Sequence, residues 1–123
     1  MEKKTVLVVD DAMFMRAVIK NILKNIEMCN VIGEADNGVD AVKKAEEFQP
    51  DFITLDVVMP DQDGLASIKG ILNASPKTKI IMVTSVSDSK TITKAIEEGA
   101  FDYVVKPVSK EDLEKIINRA TNS

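Results

Sequence analysis

Five short apolar runs recur along the chain, each followed by an amphipathic stretch. The runs are Val6-Leu7-Val8-Val9, Val31-Ile32, Phe52-Ile53-Thr54-Leu55, Ile80-Ile81-Met82-Val83 and Tyr103-Val104-Val105. They are rich in β-branched residues and nearly continuous, as in strands covered on both faces. The stretches between them carry helical spacing. Phe14, Val18, Ile22 and Ile26 recur every four residues, with Met15, Ile19 and Leu23 one position on, and Leu113, Ile116, Ile117 and Ala120 follow the i, i+3, i+4, i+7 pattern. Ser109, three residues before Asp112, resembles a capping box. Gly99, after Glu97-Glu98, suits a left-handed helix end, and Pro50 and Pro76 fall where helices can stop. Strict alternation of the two kinds of segment implies parallel strands joined by right-handed crossovers. The expected fold is therefore α/β, an open (βα)5 parallel sheet with helices on both faces.

The 123 residues suit one domain spanning 1–123, with no linker, repeat or low-complexity segment. Sixteen Lys and Arg against twenty Asp and Glu give a net charge of −4. That balance argues against electrostatic binding to nucleic acid or to an anionic membrane surface. No apolar run approaches a membrane span, and no signal-type segment leads the chain, so membrane insertion is not expected. A single cysteine, Cys29, cannot staple the fold, which points to a reducing cytoplasm and an inert thiol. There is no histidine, which removes His-based acid/base catalysis, Ser-His-Asp triads and His-ligated zinc. The methionines at 13, 15, 28, 59 and 82 read as core or loop packing.

Sheets of this kind bind ligands beyond the carboxyl ends of their strands. The residues there are Asp10-Asp11 after the first run, Asp56 after the third, Thr84-Ser85 after the fourth and Lys106-Pro107 after the fifth. The second run ends in Glu34-Ala35, at what reads as a sheet edge. If the first and third strands are neighbours, Asp10, Asp11 and Asp56 meet and repel one another. A hard divalent cation relieves that repulsion, and Mg²⁺ suits an acidic cleft without His or Cys. Lys106 and Thr84 add groups that hold phosphoryl oxygens, and a carboxylate can be a nucleophile that forms an acyl phosphate. Asp56, alone at its strand end, is the best candidate nucleophile, and Asp10 and Asp11 are better placed as metal ligands. Taken singly, these residues have plainer readings: Asp11 as a helix N-cap, Asp56 as a turn acid, Lys106 as a surface lysine, Thr84 as a strand former. Their recurrence at the same end of successive strands favours a site. Competing sites fail on spacing. There is no G-x-G-x-x-G, and Gly33 and Gly38 have P-loop spacing but are followed by Val39-Asp40 instead of Lys and Ser/Thr.

The chain resembles the receiver domain of two-component response regulators over essentially its whole length. The matching segments are Val8-Val9-Asp10-Asp11, Leu55 through Gly64, Val83-Thr84-Ser85 and Gly99 through Pro107, and Asp11-Ala12-Met13-Phe14-Met15-Arg16 further resembles the stand-alone chemotaxis (CheY-like) subgroup. The resemblance implies a flavodoxin-like sheet of order 2-1-3-4-5. It implies Asp56 as the phosphoacceptor, with Mg²⁺ held by Asp11, Asp56 and the backbone carbonyl of Val58, and by Asp10 largely through water. It implies that Lys106, across a cis peptide to Pro107, and Thr84 bind phosphoryl oxygens. Tyr103 would then follow Thr84 from an exposed to a buried rotamer. The implied partner face is the fourth helix, fifth strand and fifth helix, with Ile92, Ile96, Tyr103 and Val105 as candidate contacts; Ile92 and Ile96 read equally well as core.

The expected function is a response regulator phosphorylated by a chemotaxis-type histidine kinase, with Mg²⁺ as cofactor and a flagellar motor switch protein or other protein as target. Such a chain transfers phosphate to itself and is not a turnover enzyme on an external substrate. Val58 and Val86, two residues after Asp56 and Thr84, are apolar where a polar side chain would orient an attacking water, so a long-lived phosphorylated state cleared by a separate phosphatase is expected. No effector segment follows Ser123, so direct transcriptional control is not expected. The alternatives are a phosphorelay intermediate, a receiver fragment of a larger regulator, and a degenerate structural receiver.

Overall fold

The computed structural model describes residues 3–56, 64–84 and 89–121. Val58, Met59, Ser85 and Val86 lie outside the described residues. The element order is β1 (Lys4–Val9), α1 (Met13–Lys24), β2 (Cys29–Ala35), α2 (Gly38–Phe48), β3 (Phe52–Asp56), α3 (Gly64–Ala74), β4 (Lys79–Thr84), α4 (Ser89–Glu98), β5 (Asp102–Val105) and α5 (Lys110–Thr121). All neighbouring strands pair in parallel, in the order β2-β1-β3-β4-β5. The order reverses between β1 and β3, which puts a crevice beyond their carboxyl ends.

Period-two alternation splits the apolar runs between two cores. Leu7, Val9, Ile53, Leu55, Ile80 and Met82 face α2, α3 and α4, where Ala41, Ala45, Ile68, Ile71 and Ala95 meet them. Val6, Val8, Phe52, Ile81, Val83 and Val104 face α1 and α5, against Ile19, Leu23, Leu113, Ile116 and Ile117. Burying each of the larger side chains stabilises the fold by about 1.5–3 kcal/mol, so the central strands are held from both sides.

The ladder between β1 and β2 slips once: Val6 pairs with Val31, but Leu7 pairs with Gly33. The slip reverses the faces of the later β2 residues. Glu34 now lies opposite Val8, on the α1 side, and Ala35 opposite Val9 joins the other core.

Helix ends follow local chemistry. Asn37 accepts a hydrogen bond from the Asp40 N–H at 2.8 Å and caps α2. Ser109 accepts from the Asp112 N–H at 3.1 Å ahead of α5, which is one of the two bonds of the expected capping box. Gly99 ends α4 with φ +118°. Gln49 ends α2 in the left-handed region at φ +46°, and its amide donates to the carbonyl of Ala74 at 2.8 Å. The amino ends of the strands are tied by side chains. Asp51 Oδ2 accepts from the N–H and hydroxyl of Thr5, and Thr5 Oγ1 accepts from the Asp51 N–H at 2.9 Å. Thr78 donates its hydroxyl to the Pro50 carbonyl at 2.6 Å.

One expectation fails in α1. Met13 is 73% exposed and Phe14 76%, whereas the spacing of Phe14, Val18, Ile22 and Ile26 expects Phe14 in the buried stripe and Met13 in packing. The buried stripe is Ile19, Leu23 and Ile26. The first turn of α1 stands past the carboxyl end of β1, so its side chains have little sheet beneath them.

Candidate functional site

The crevice is assembled from strand ends. Asp10 directly follows β1, whose last residue Val9 pairs with Leu55, and Asp56 is the last residue of β3. Register therefore sets the two acids side by side. Asp10 is 1% exposed and Asp56 7%, while Asp11 is exposed beside them. A carboxylate oxygen from each of the three lies within 4.8 Å of the others. From β5, which ends at Val105, Lys106 reaches back over the crevice. Its Nζ lies 3.8 Å from Asp10 Oδ2 and 3.7 Å from Asp56 Oδ2. The Lys106–Pro107 peptide is cis. Thr84 ends β4, is buried, and its carbonyl accepts from the Lys106 N–H at 2.7 Å.

Asp11 is not a helix cap. The N-cap position of α1 is Ala12, with no side-chain cap bond. The side chain that serves this turn is Asp10, whose Oδ1 accepts from the Ala12 N–H at 2.9 Å. Its other oxygen, Oδ2, is buried with no hydrogen-bond partner among the described residues and only the distant lysine charge. Among the described residues, three carboxylates meet with an ammonium within 4 Å of two of them, every donor atom is oxygen, and one buried carboxylate oxygen has no hydrogen-bond donor. The residues present therefore fit a hard divalent cation bound through oxygen.

The switch and partner candidates lie elsewhere. Tyr103, in β5, is 39% exposed; Ile96, in α4, is exposed, and Ile92 and Val105 are half-buried. Cys29 is buried at the start of β2, and burial, aided by the negative charge of Glu114, pushes its thiol up to about 11. It stays protonated and unreactive at neutral pH, as the inert reading expects.

One polar cluster beside the crevice escaped the sequence reading. Glu34 accepts from Arg16 Nε at 2.7 Å and from Lys20, and its own carbonyl accepts from Lys44. Lys20 first, then Arg16, hold the Glu34 carboxyl below its usual range. The Arg16 guanidinium also donates to the Asp10 carbonyl at 2.7 Å. No sequence signal joins residues 18 apart; the register slip in β2 is needed.

Comparison with known proteins bears on all of this. Residues 6–118 match the response regulator receiver domain family. Chemotaxis protein CheY of Listeria monocytogenes is 42% identical over 93% of this chain and 95% of its own length. CheY of Thermotoga maritima is 38% identical over 96% of this chain and 98% of its own. Among solved structures, the response regulator domain of Thermotoga maritima CheB superposes with a TM-score of 0.87 at 36% identity, covering 99% of this chain and 98% of that one. A chain of the CheX–CheY–BeF3–Mg complex of Borrelia burgdorferi superposes with a TM-score of 0.90 at 25% identity, covering 98% of this chain and 90% of that one.

Proposed function

The chain belongs to the response regulator receiver domain family, and from that premise we propose that Asp56 accepts a phosphoryl group, that Asp10 and Asp11 help hold the magnesium ion the transfer needs, and that Lys106 and Thr84 bind the phosphoryl oxygens. It is a CheY-like response regulator of two-component signalling and chemotaxis. The observation that carries the reading is the meeting of three carboxylates and one lysine at the strand-order reversal, with an Asp10 oxygen buried and lacking a donor among the described residues.

The donor is a histidine kinase of chemotaxis type or a small acyl phosphate. An oxygen of Asp56 attacks phosphorus as the P–N bond to histidine breaks; the imidazole leaves with the bonding pair and the product is an acyl phosphate. Magnesium, when bound, neutralises charge on the acids and on the phosphoryl oxygens. Asp10, Asp11 and Asp56 supply its carboxylate ligands, and the carbonyl of Val58, outside the described residues, is a further ligand by family resemblance. Lys106, within 4 Å of both Asp10 and Asp56, moves its ammonium toward the new dianion. Thr84 turns its hydroxyl to the same oxygens, and Tyr103 goes from its exposed position into the space vacated. A local charge change thereby biases a two-state element. The surface of Ile92, Ile96, Tyr103 and Val105 then binds a protein target, a flagellar motor switch component. A separate phosphatase ends the signal.

The test is labelling with acetyl phosphate. Wild type takes up one phosphoryl group with magnesium and none with EDTA, and Asp56→Asn takes up none in either. Labelling of Asp56→Asn equal to wild type overturns the assignment. For the output face, beryllofluoride-loaded protein captures its target, and Tyr103→Ala with Ile96→Ala loses that capture while keeping the label; undiminished capture moves the face elsewhere.

A further inference from the structure

We propose that Arg16 is a positioning residue for the acidic cluster: held by Glu34, its guanidinium fixes the main chain of Asp10 and so sets the affinity of the site for magnesium. The inference rests on the magnesium reading above. Arg16 lies one turn into α1, and its side chain is 14% exposed. One edge of its guanidinium donates from Nε to Glu34, and Nη1 donates to the Asp10 carbonyl, both at 2.7 Å. The planar fork makes these two bonds in fixed relation, which a single ammonium cannot do. Glu34 is itself fixed, since Lys20 takes its second oxygen and Lys44 its carbonyl.

The target of the clamp is a short turn. Asp10 has its N–H on the Ala35 carbonyl at 3.1 Å and its Oδ1 on the Ala12 N–H. With the carbonyl on Arg16 as well, every polar group of Asp10 except Oδ2 is committed to the scaffold, and Oδ2 is left turned to the cluster. Asp11, the next residue, inherits its direction from the same turn. The β2 slip belongs to this device. Without it Glu34 would pair with Val9 and face α2 and α3, on the wrong side of the sheet for Arg16. Outer partners that orient ligands typically tune metal affinity by 10–100-fold.

The experiment compares wild type, Arg16→Lys, Arg16→Gln and Lys20→Met by magnesium calorimetry and by melting with magnesium and with EDTA. Arg16→Lys keeps the charge and loses the fork; its magnesium dissociation constant rises about tenfold, and the rise in melting temperature on adding magnesium shrinks with it. Lys20→Met removes one hold on Glu34 but leaves the Arg16 fork on Glu34 and Asp10 intact; its loss of affinity is about threefold at most, well below that of Arg16→Lys. Arg16→Gln also weakens binding, although losing a cation beside three acids favours metal on charge alone. Three results overturn the clamp: Arg16→Lys melting lower in EDTA but binding magnesium like wild type, Lys20→Met losing as much affinity as Arg16→Lys, or Arg16→Gln binding more tightly. Wild type giving no magnesium heat would instead bring down the proposed function, and the clamp with it.

Discussion

Thr54 carries a buried hydroxyl in the middle of β3, and its Oγ1 has no hydrogen-bond partner among the described residues. Such a group left water without replacement, at a cost of about 1–3 kcal/mol. Thr54→Val keeps the branched shape and is expected to raise stability by about 1 kcal/mol, read as a higher urea midpoint at unchanged slope. A lower midpoint would show that the hydroxyl is satisfied in solution. At this scale the placement of the candidate site was largely legible. Asp10, Asp56, Thr84 and Lys106 stand where apolar runs stop, and the ends of runs are the most readable positions in a sheet of buried strands. Asp11 was ambiguous in sequence because an acid before a helix is usually a cap; only the Asp10–Ala12 bond shows which acid serves the turn. Arg16 and Glu34 were not legible, because their pairing depends on a one-residue slip that no composition announces.

Helices illustrate why boundaries read better than faces. Gly99 was recognisable as the end of α4, and the structure gives the reason twice. Its φ of +118° is costly for any other residue, and a Cβ there would stand 2.5 Å from Leu72 Cδ1. Gly99→Ala is therefore expected to cost about 1–3 kcal/mol, seen as a lower thermal midpoint, with α3 and α4 separating first in hydrogen exchange. An unchanged midpoint would mean that the α4 terminus carries no constraint. Gln49 takes the same role at the end of α2 without being glycine, and nothing in its sequence context says so. Its amide bridges to the α3 carbonyl of Ala74 and offsets the unfavourable backbone. The exposure of Phe14 has the opposite lesson. Its periodicity was correct, but periodicity cannot tell that the first turn overhangs the sheet.

The whole molecule sets stability against function at one rim. Three carboxylates within 4.8 Å repel in the metal-free protein, offset in part by the half-buried Lys106 beside Asp10 and Asp56 and by the nearby Arg16. Asp11→Asn removes one charge and is expected to raise the melting temperature in EDTA, by an amount equivalent to about 0.5 kcal/mol, since Asp11 is exposed and its charge is screened. Magnesium should narrow or reverse the gap, because the variant binds it less well. A variant that melts lower in EDTA would mean that Asp11 supports the fold. The strand segments and helices on both faces were readable because both derive from where apolar side chains can be buried. The order 2-1-3-4-5 came from family resemblance, since alternation alone fixes parallel pairing and crossover hand but not which strand starts the second half.

The opposite rim has a different character. Thr5 with Asp51, and Thr78 with Pro50, nail the strand entrances together at the end of the sheet away from the acidic crevice. Mechanically the sheet resembles a hand held at the wrist: its alignment is set at one edge, and each fingertip inherits its height from a bond made at the other.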